Sequence, residues 1–463
     1  MRKDLPKFTG KMGAAELLNA LGEDFAVVEN PNYVYPPYEL YPLAAKASAL
    51  ESGLLGAVMD MDGTTTTTET LCIHSLETMV RRIIGREGDS GWRGLDEERD
   101  YPHIIGNSTT KHVEYLIRTY RDEIRSEPLK FFTLHAAIWT LGKAADEGRK
   151  KEVRNNLATL GLESVLRDNR FVRLMKAGSL DTPKERSAIQ DLADHYCVNL
   201  RLESIADIVR VAIDVYYQRY HEILSQIDRG VGGSSLAETL LGDPNRRLIS
   251  PMSGIGYFLA LIKGWLGKDA QVCYEGFVEY LREIGEPWED LEANRAMLEP
   301  MGLHFERNPV LVAVVTSSIQ YEANIVLSEV FRVLREQIED WDVPKEKKSF
   351  LLERFASYRT VYDAVITASD SSEIRLKPHR DLYSLALHQL GVKPEDFGKV
   401  IGFEDSESGT IAIRAAGIPL CVAVPFPETK GHTFDAACHV AHGGIPEVVL
   451  KKLCFLPEAL LAE

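Results

Sequence analysis

The 463-residue chain has few cysteines, and their spacing excludes several classes of protein. The six cysteines stand far apart, at positions 72, 197, 273, 421, 438 and 454. No Cys-x-x-Cys pair and no closely spaced cysteine framework is present, which argues against a zinc ribbon and against a small secreted domain stapled by disulfides. We therefore expect reduced thiols and a cytoplasmic protein.

Long apolar segments and clustered positive charge are also lacking. No run of about 18 apolar residues suggests a membrane span, and the first residues lead into no apolar signal core. The 53 Lys and Arg residues are outnumbered by 69 Asp and Glu residues, so the formal net charge is −16. Because nucleic-acid binders carry a clustered basic surface, we expect no nucleic-acid partner. Without a long apolar run we also expect no membrane partner. The substrate is then expected to be a small molecule.

What the chain does contain is a series of short apolar runs that each lead into polar residues. These runs cover residues 54–59, 310–315, 364–367 and 399–403. Such runs are typical of buried strands in a parallel sheet. The carboxyl ends of parallel strands meet at one edge of the sheet, where open α/β folds bind ligands. We therefore expect the polar residues that follow the runs to form one site.

The residues at these strand ends include every part that phosphoryl transfer requires. They are the acids Asp60 and Asp62, the hydroxyl residues Thr316, Ser317 and Ser318, the cation Lys377, and the acids Glu404 and Asp405. A phosphoryl group in transit needs an in-line nucleophile, hydrogen-bond donors, a fixed cation and a metal ion that offsets its charge. Carboxylate oxygens are the ligands that Mg²⁺ prefers, so Mg²⁺ is the expected cofactor.

The amino-acid sequences of these segments resemble those of the haloacid dehalogenase superfamily, in its branch of β-phosphoglucomutase-like phosphatases. The matching motifs are Asp60-Met-Asp62-Gly63-Thr64 for the nucleophile, Thr316-Ser317-Ser318 for phosphate binding, Lys377-Pro for the lysine, and Phe403-Glu404-Asp405-Ser-Glu-Ser-Gly409 for the acids. The resemblance covers residues 54–75, about 300–332 and 360–450. It leaves the segment between them, more than two hundred residues long, to be explained separately.

The resemblance implies a role for each motif residue. Asp60 would attack phosphorus and form an aspartyl-phosphate, while Asp62 would act as the general acid and base. Thr316 and Lys377 would hold the phosphoryl group. The further substrate contacts would be Gly63, Thr64, Ser317 and Ser318. The Mg²⁺ ligands would be Asp60, Glu404, Asp405 and the backbone carbonyl of Asp62. An acid at position 62 favours phosphate esters over carbon–halogen or carbon–phosphorus bonds.

The fold that the resemblance implies is α/β: a three-layer α/β/α Rossmann-like core with a parallel sheet, and a large all-helical cap inserted after the first strand. We predict an N-terminal extension over residues 1–50 that packs on the core. The catalytic core would comprise residues 51–75 and 300–463, and the cap residues 76–299. Apolar residues at three- and four-residue spacing over 205–227 predict a long amphipathic helix inside the cap.

One segment of the predicted cap also resembles the family. Residues 104–112 look like the loop that precedes a helix and faces the active site in this branch. The candidate substrate contacts there are Gly106, Asn107, Ser108 and Lys111. An ordinary helix cap by Asn107 or Ser108 is an equally good explanation of this segment. For His379 and Arg380, next to the motif lysine, we expect surface exposure.

Together these features predict a Mg²⁺-dependent phosphatase that hydrolyses a small phosphomonoester, such as a sugar phosphate or a similar metabolite. A phosphomutase that uses the same nucleophile is the first alternative. A non-catalytic binding protein on the same core is the second. The sequence leaves open whether the protein is a monomer or a homodimer.

Overall fold

The computed structural model describes residues 8–30, 34–50, 52–89, 91–104, 109–198, 200, 204–231, 233–243, 247–286, 291–372, 375–425, 429 and 432–456. The strands are β1 (Phe25–Glu29), β2 (Tyr38–Pro42), β3 (Gly56–Asp60), β4 (Thr66–Thr67), β5 (Ser250–Pro251), β6 (Leu311–Val315), β7 (Ala364–Ile366), β8 (Val400–Glu404), β9 (Leu420–Ala423) and β10 (His439–Val440).

The helices up to residue 241 are α1 (Lys11–Leu21), α2 (Glu69–Ile83), α3 (Tyr101–Ile104), α4 (Thr109–Thr119), α5 (Ser126–Lys143), α6 (Glu147–Thr159), α7 (Asn169–Met175), α8 (Pro183–Tyr196), α9 (Ile205–Asp228) and α10 (Gly233–Leu241). The later helices are α11 (Ile255–Ile262), α12 (Cys273–Glu283), α13 (Leu291–Arg307), α14 (Gln320–Glu339), α15 (Lys345–Arg354), α16 (Tyr358–Val361), α17 (Asp381–Gln389), α18 (Glu407–Ala415) and α19 (Gly444–Glu447). Short 3₁₀ segments lie at Arg121–Glu123, Glu163–Arg167, Gly267–Val272, Ala368–Asp370 and Pro394–Lys399, and a π-helical turn at Val448–Lys452.

The central element is a six-stranded parallel sheet with the strand order β10-β9-β8-β3-β6-β7. All five residues of β3 are buried, as expected for a strand with a neighbour on each side and both faces covered. Asp60, the last residue of β3, pairs with Val315 of β6. Met59 pairs with Phe403 of β8, so the carboxyl ends of these three strands lie at one edge of the sheet.

Helices cover both faces of this sheet. A Cβ added to Gly402 of β8 would lie 2.6 Å from a methyl carbon of Ile413 in α18, so helix and strand are in close contact there. The next residue, Phe403, packs edge-to-face on Phe258 of α11, with ring centroids 5.4 Å apart. Because neighbouring residues of a strand point to opposite faces, α18 and α11 form two separate outer layers. The predicted three-layer α/β arrangement is confirmed.

The chain divides into two compact units. The first unit comprises Met1–Thr67, Ser250–Ala323 and Leu327–Glu463, and the second comprises Thr68–Ile249 and Asn324–Val326. In the described part of the second unit all regular elements are helical, and the long helix α9 packs against α2, α4 and α5. The predicted helix at 205–227 is therefore confirmed.

This division differs from the predicted domain boundaries at residues 250–299. These residues, predicted as part of a cap at 76–299, lie in the first unit. The physical reason is the strongly apolar helix α11, in which Phe258, Leu259 and Ala260 are fully buried and Phe258 packs on Phe403 of the sheet. Residues 68–75, predicted as core, lie in the second unit. The role of the second unit as a cap stays a prediction.

The N-terminal segment contributes a β-hairpin to the first unit. Strands β1 and β2 pair antiparallel, with Val28 opposite Glu39 and Ala26 opposite Tyr41. On one face of the hairpin, Ala26, Val28 and Tyr41 pack against Ala415 at the end of α18. No helix in the described part of the chain is long and apolar enough to cross a membrane.

Candidate active site

Asp60 is fixed at the end of the central strand by its own backbone. The amide of Met61 donates a hydrogen bond to the carbonyl of Val315 at 3.0 Å, which extends the β3–β6 ladder one residue past Asp60. The hydroxyl of Thr65 donates to the carbonyl of Asp60 at 2.7 Å. Thr65 is fully buried and Asp60 is 5% exposed. A carboxylate held in this way loses little further freedom when it meets a substrate.

A tight turn follows Asp60 and reverses the chain. Gly63 has φ +83°, a left-handed conformation that glycine adopts without steric cost, and its amide donates to the carbonyl of Thr66 at 2.8 Å. Strand β4 then pairs with β5 as an antiparallel ribbon. The buried hydroxyl of Thr64 has no hydrogen-bond partner among the described residues. Substrate contact by Gly63 and Thr64 stays a prediction.

Asp62 lies beside the hydroxyl groups that follow β6. Its Oδ2 atom lies 3.2 Å from Oγ1 of Thr316 and 3.4 Å from Oγ of Ser318. The amide of Ser318 donates to Oγ1 of Thr316 at 2.9 Å, which directs the hydroxyl hydrogen of Thr316 toward the carboxylate. The structure thus brings together the predicted acid–base residue and two of the predicted phosphate ligands. The third, Ser317, is exposed.

Lys377 lies between two buried carboxylates. Its Nζ atom forms a close ion pair with Oδ1 of Asp60 and lies 2.5 Å from Oε1 of Glu404. Burial alone would lower the pKa of Lys377, but the two carboxylates outweigh it and raise this pKa above the ordinary value for lysine. Lys377 therefore carries a fixed positive charge at neutral pH.

Glu404 is completely buried, and each of its two carboxylate oxygens accepts more than one hydrogen bond. Besides Lys377, its Oε1 accepts from the hydroxyl of Tyr383 at 2.9 Å. Its Oε2 accepts from the amides of Asp405 and Ser406, both at 3.1 Å, and from the hydroxyl of Ser406 at 2.9 Å. Burial alone would raise the pKa of Glu404, but Lys377 and these hydrogen bonds outweigh it and hold the pKa below its usual value.

Three buried acids form a set that fits a divalent cation. One carboxylate oxygen from each of Asp60, Glu404 and Asp405 lies within 4.8 Å of the others. Burial, followed by repulsion from Glu404, raises the pKa of Asp60 well above its usual range. A cation bound here would relieve that repulsion, and hard carboxylate oxygens suit Mg²⁺. Since a carboxylate offers about four acceptor positions, ligation by Glu404 would require the release of one of its donors.

The predicted substrate contacts at 106–111 are not tested by the structure. Gly106, Asn107 and Ser108 lie outside the described residues. Lys111 lies in α4 of the second unit, where it is exposed. Both the metal ligands and the substrate contacts predicted from the motifs therefore stay predictions as functional assignments.

Several residues of the site could not be identified from the motifs. Tyr383 lies in α17 with no local pattern that marks it, although it contacts Glu404 directly. Ser406 offered a signal, since it is the cap of α18 and accepts from the amide of Gly409. The expectation of exposure was wrong for His379, which is 4% exposed, whereas Arg380 is exposed as predicted.

No protein-family model matches this chain, and no curated protein does. Among solved structures, it is similar to CbbY from Rhodobacter sphaeroides in complex with phosphate, at 15% identity and a TM-score of 0.37, over 85% of this chain and 96% of that one. It is also similar to a putative beta-phosphoglucomutase from Thermotoga maritima, at 15% identity and a TM-score of 0.34, over 86% and 98%. A third is a HAD family hydrolase from Deinococcus radiodurans R1 with bound phosphate and sodium, at 13% identity and a TM-score of 0.33, over 89% and 100%. At this sequence identity and these TM-scores, the similarity does not assign a function to this chain. The chemistry is therefore inferred from the site alone.

Proposed function

We propose that the chain is a Mg²⁺-dependent phosphatase of the haloacid dehalogenase type, which hydrolyses a small phosphomonoester through an aspartyl-phosphate on Asp60. The observation that carries this proposal is the position of Lys377, paired with both Asp60 and Glu404 at the carboxyl edge of the sheet. Asp62, with Thr316 and Ser318 against its carboxylate, completes the set at the same edge.

In the first step, a carboxylate oxygen of Asp60 attacks phosphorus as the bond from phosphorus to the ester oxygen breaks. The leaving alkoxide takes a proton from the carboxyl group of Asp62, so the product alcohol departs neutral. The positive charge of Lys377 lets the anionic ester approach the Asp60 carboxylate. The hydroxyl of Thr316 can turn from Asp62 to a phosphoryl oxygen, because both acceptors would lie at the same strand end.

In the second step, water attacks the phosphorus of the aspartyl-phosphate. The carboxylate of Asp62 accepts a proton from this water, and the bond from phosphorus to the Asp60 oxygen breaks to release orthophosphate. Asp62 returns to its protonated form and Asp60 to its carboxylate, so the cycle closes without any other reactant. Mg²⁺ held by Asp60, Asp405 and the backbone carbonyl of Asp62, with Glu404 as the further predicted ligand, would offset negative charge on the phosphoryl oxygens.

A binding protein without catalysis would have little reason to keep this arrangement. Burying two carboxylates and an ammonium group costs several kcal/mol per ion in desolvation, and their mutual attraction rarely exceeds that cost by much. A phosphomutase would use the same residues and would differ only in what accepts the phosphoryl group from Asp60. The phosphatase is proposed because water alone completes its cycle, whereas a phosphomutase must also hold a second phosphoryl acceptor against the aspartyl-phosphate.

The experiment is phosphate release from a panel of sugar, nucleotide and small organic phosphates, with Mg²⁺ or with chelator, by wild type and Asp60→Asn. We expect Mg²⁺-dependent release by wild type and none by the variant, with circular dichroism showing that the variant is folded. Isomer formation without phosphate release would favour the phosphomutase. No reaction of any ester would contradict both enzymatic assignments.

A further inference from the structure

The N-terminal hairpin reaches the loop that carries Lys377. Tyr41 of β2 is 5% exposed, and its ring meets the ring of His379 edge-on at a centroid distance of 5.5 Å. The hydroxyl oxygen of Tyr41 lies 2.6 Å from Oε2 of Glu39, 2.8 Å from Nη1 of Arg375 and 2.8 Å from Nδ1 of His379. One phenol thus joins three residues from two distant parts of the sequence.

The direction of each hydrogen bond follows from the chemistry of the partners. A guanidinium group only donates and a carboxylate only accepts, so Arg375 donates to the Tyr41 oxygen, and the single Tyr41 hydrogen goes to Glu39. The Nδ1 atom of His379 must then be a donor to Tyr41. Burial and then the Glu39 bond raise the pKa of Tyr41 to about 12, and burial followed by Arg375 lowers the pKa of His379. Both directions agree with a neutral phenol and a neutral imidazole.

Two of the Tyr41 partners, Arg375 and His379, lie two residues before and two residues after Lys377. Arg375 is itself fixed by a two-pronged ion pair with Asp381 at the start of α17, with N–O distances of 2.8 and 2.9 Å. His379 is held by its backbone amide, which donates to the carbonyl of Leu376 at 3.0 Å. Tyr41 therefore forms hydrogen bonds with the chain on both sides of Lys377.

The other end of the hairpin is anchored to α18, the helix that follows Glu404. The buried side chain of Arg414 donates from Nε to the carbonyl of Ala44 at 2.9 Å and pairs through Nη2 with Asp24 at 3.1 Å. Ala415 packs on the hairpin face that carries Tyr41. The hairpin thus connects the loop of Lys377 to the helix that begins just after its partner carboxylate.

We propose that Tyr41 is a positioning residue that sets the location of the Lys377 ammonium group against Asp60 and the phosphoryl group. This inference rests on the proposed function for its meaning in catalysis. It assigns a role to a residue of the N-terminal extension, which the sequence predicts to pack on the core. Tyr41 touches neither substrate nor the reacting atoms, so it acts through Arg375 and His379.

The test is Tyr41→Phe, which keeps the ring and removes the hydroxyl. We expect kcat/KM for p-nitrophenyl phosphate to fall about tenfold, and the Kd for orthophosphate, measured by calorimetry with Mg²⁺, to rise in parallel. In a Lys377→Met background, Tyr41→Phe should leave the orthophosphate Kd unchanged, because the group it positions is gone. If Tyr41 only stabilised the fold, Tyr41→Phe would raise the orthophosphate Kd in the Lys377→Met background as well.

Two variants in the same hairpin serve as matched controls. Tyr38→Phe makes the same chemical change on the exposed face, where the hydroxyl of Tyr38 has no partner among the described residues. Val28→Ala weakens the buried face of the hairpin without removing any hydrogen bond to the lysine loop. Tyr38→Phe should change nothing. Val28→Ala should lower the midpoint of thermal unfolding at least as much as Tyr41→Phe and leave the orthophosphate Kd within twofold of wild type.

Each result distinguishes this inference from the proposed function. Orthophosphate binding needs no turnover, so the positioning role is measured even if no ester is hydrolysed. An unchanged orthophosphate Kd in Tyr41→Phe would overturn the inference, as would an equal rise in Kd in both backgrounds. An equal effect of Val28→Ala would assign the loss to hairpin packing and would also overturn it. Absence of hydrolysis by wild type, with the expected Kd changes, would reject only the phosphatase.

Discussion

Replacing Lys377 by methionine removes the cation that lies between the carboxylates of Asp60 and Glu404. Methionine has a similar length and fills the same space without charge. The side chain of Lys377 is only 8% exposed, so water cannot easily take its place. Removing one partner of a buried ion pair costs about 3–5 kcal/mol in the free energy of unfolding. We expect a loss of this size at pH 7 in the presence of chelator.

The loss should depend on pH in a defined direction. Burial and Glu404 already raise the pKa of Asp60, and Lys377 is the main group that opposes this rise. The variant should therefore hold a proton between the two carboxylates. A carboxyl group whose pKa is raised by folding stabilises the protein most at low pH, and this stability is lost as the pH rises through the folded pKa. The deficit of the variant should shrink on acidification by up to about 1.4 kcal/mol per pH unit.

The assay is urea denaturation of wild type and Lys377→Met at pH 5, 6 and 7 with chelator. We expect the deficit to be smaller at pH 5 than at pH 7, because the loss of Lys377 raises the pKa of the carboxylate pair further than in wild type. Lys263→Met is a matched control, since Lys263 pairs at 2.8 Å with Asp363, whose side chain is 36% exposed. That variant should lose about 1 kcal/mol with no such pH dependence. A Lys377→Met deficit that stays constant or grows on acidification would refute the reasoning.

Three further changes test other parts of the account. Asp62→Asn should slow hydrolysis of alkyl phosphates at least 100-fold but that of nitrophenyl phosphate much less, and equal losses would contradict its acid role. In Gly409→Ala the added Cβ would lie 1.8 Å from the carboxyl carbon of Glu404, so stability and turnover should both fall, whereas Gly398→Ala, with nothing within 4 Å, should be neutral by thermal melting and turnover assay. Burial and nearby arginines lower the pKa of His74 to about 4, so stability should be lost as pH falls from about 6.5 toward 4, and denaturant melts of His74→Gln should lack about 2 kcal/mol of that loss.

The sequence predicted the core of the site because its signals are local. An apolar run followed by Asp60 or Glu404 marks the end of a buried strand, and parallel strands bring such ends to one edge. The apolar runs at 54–59, 310–315 and 399–403 overlap strands β3, β6 and β8, with bounds that differ by one or two residues at most. The three-residue and four-residue period in α9 likewise needs no knowledge of tertiary partners.

The features that the sequence analysis missed or misjudged have one physical origin. Each depends on contacts with residues far away in the chain. Helix α11 is apolar, but its pattern does not tell whether it packs in a helical insertion or on a sheet through Phe258. Surface exposure was the default expectation for His379, yet the ring of Tyr41, more than three hundred residues earlier in the chain, packs against it. Tyr383 contacts Glu404 only after α17 has packed on the sheet.

The measurement that tests the central claim most directly is the trapping of a phosphoryl group on Asp60. Wild type is mixed with p-nitrophenyl phosphate and Mg²⁺, quenched in acid within milliseconds and treated with borohydride, which reduces an acyl phosphate to an alcohol. Peptide mass mapping should then find homoserine in place of Asp60 in wild type and no reduced residue in Asp60→Asn. Hydrolysis without any reduced residue at Asp60, or reduction at another acid, would contradict the account.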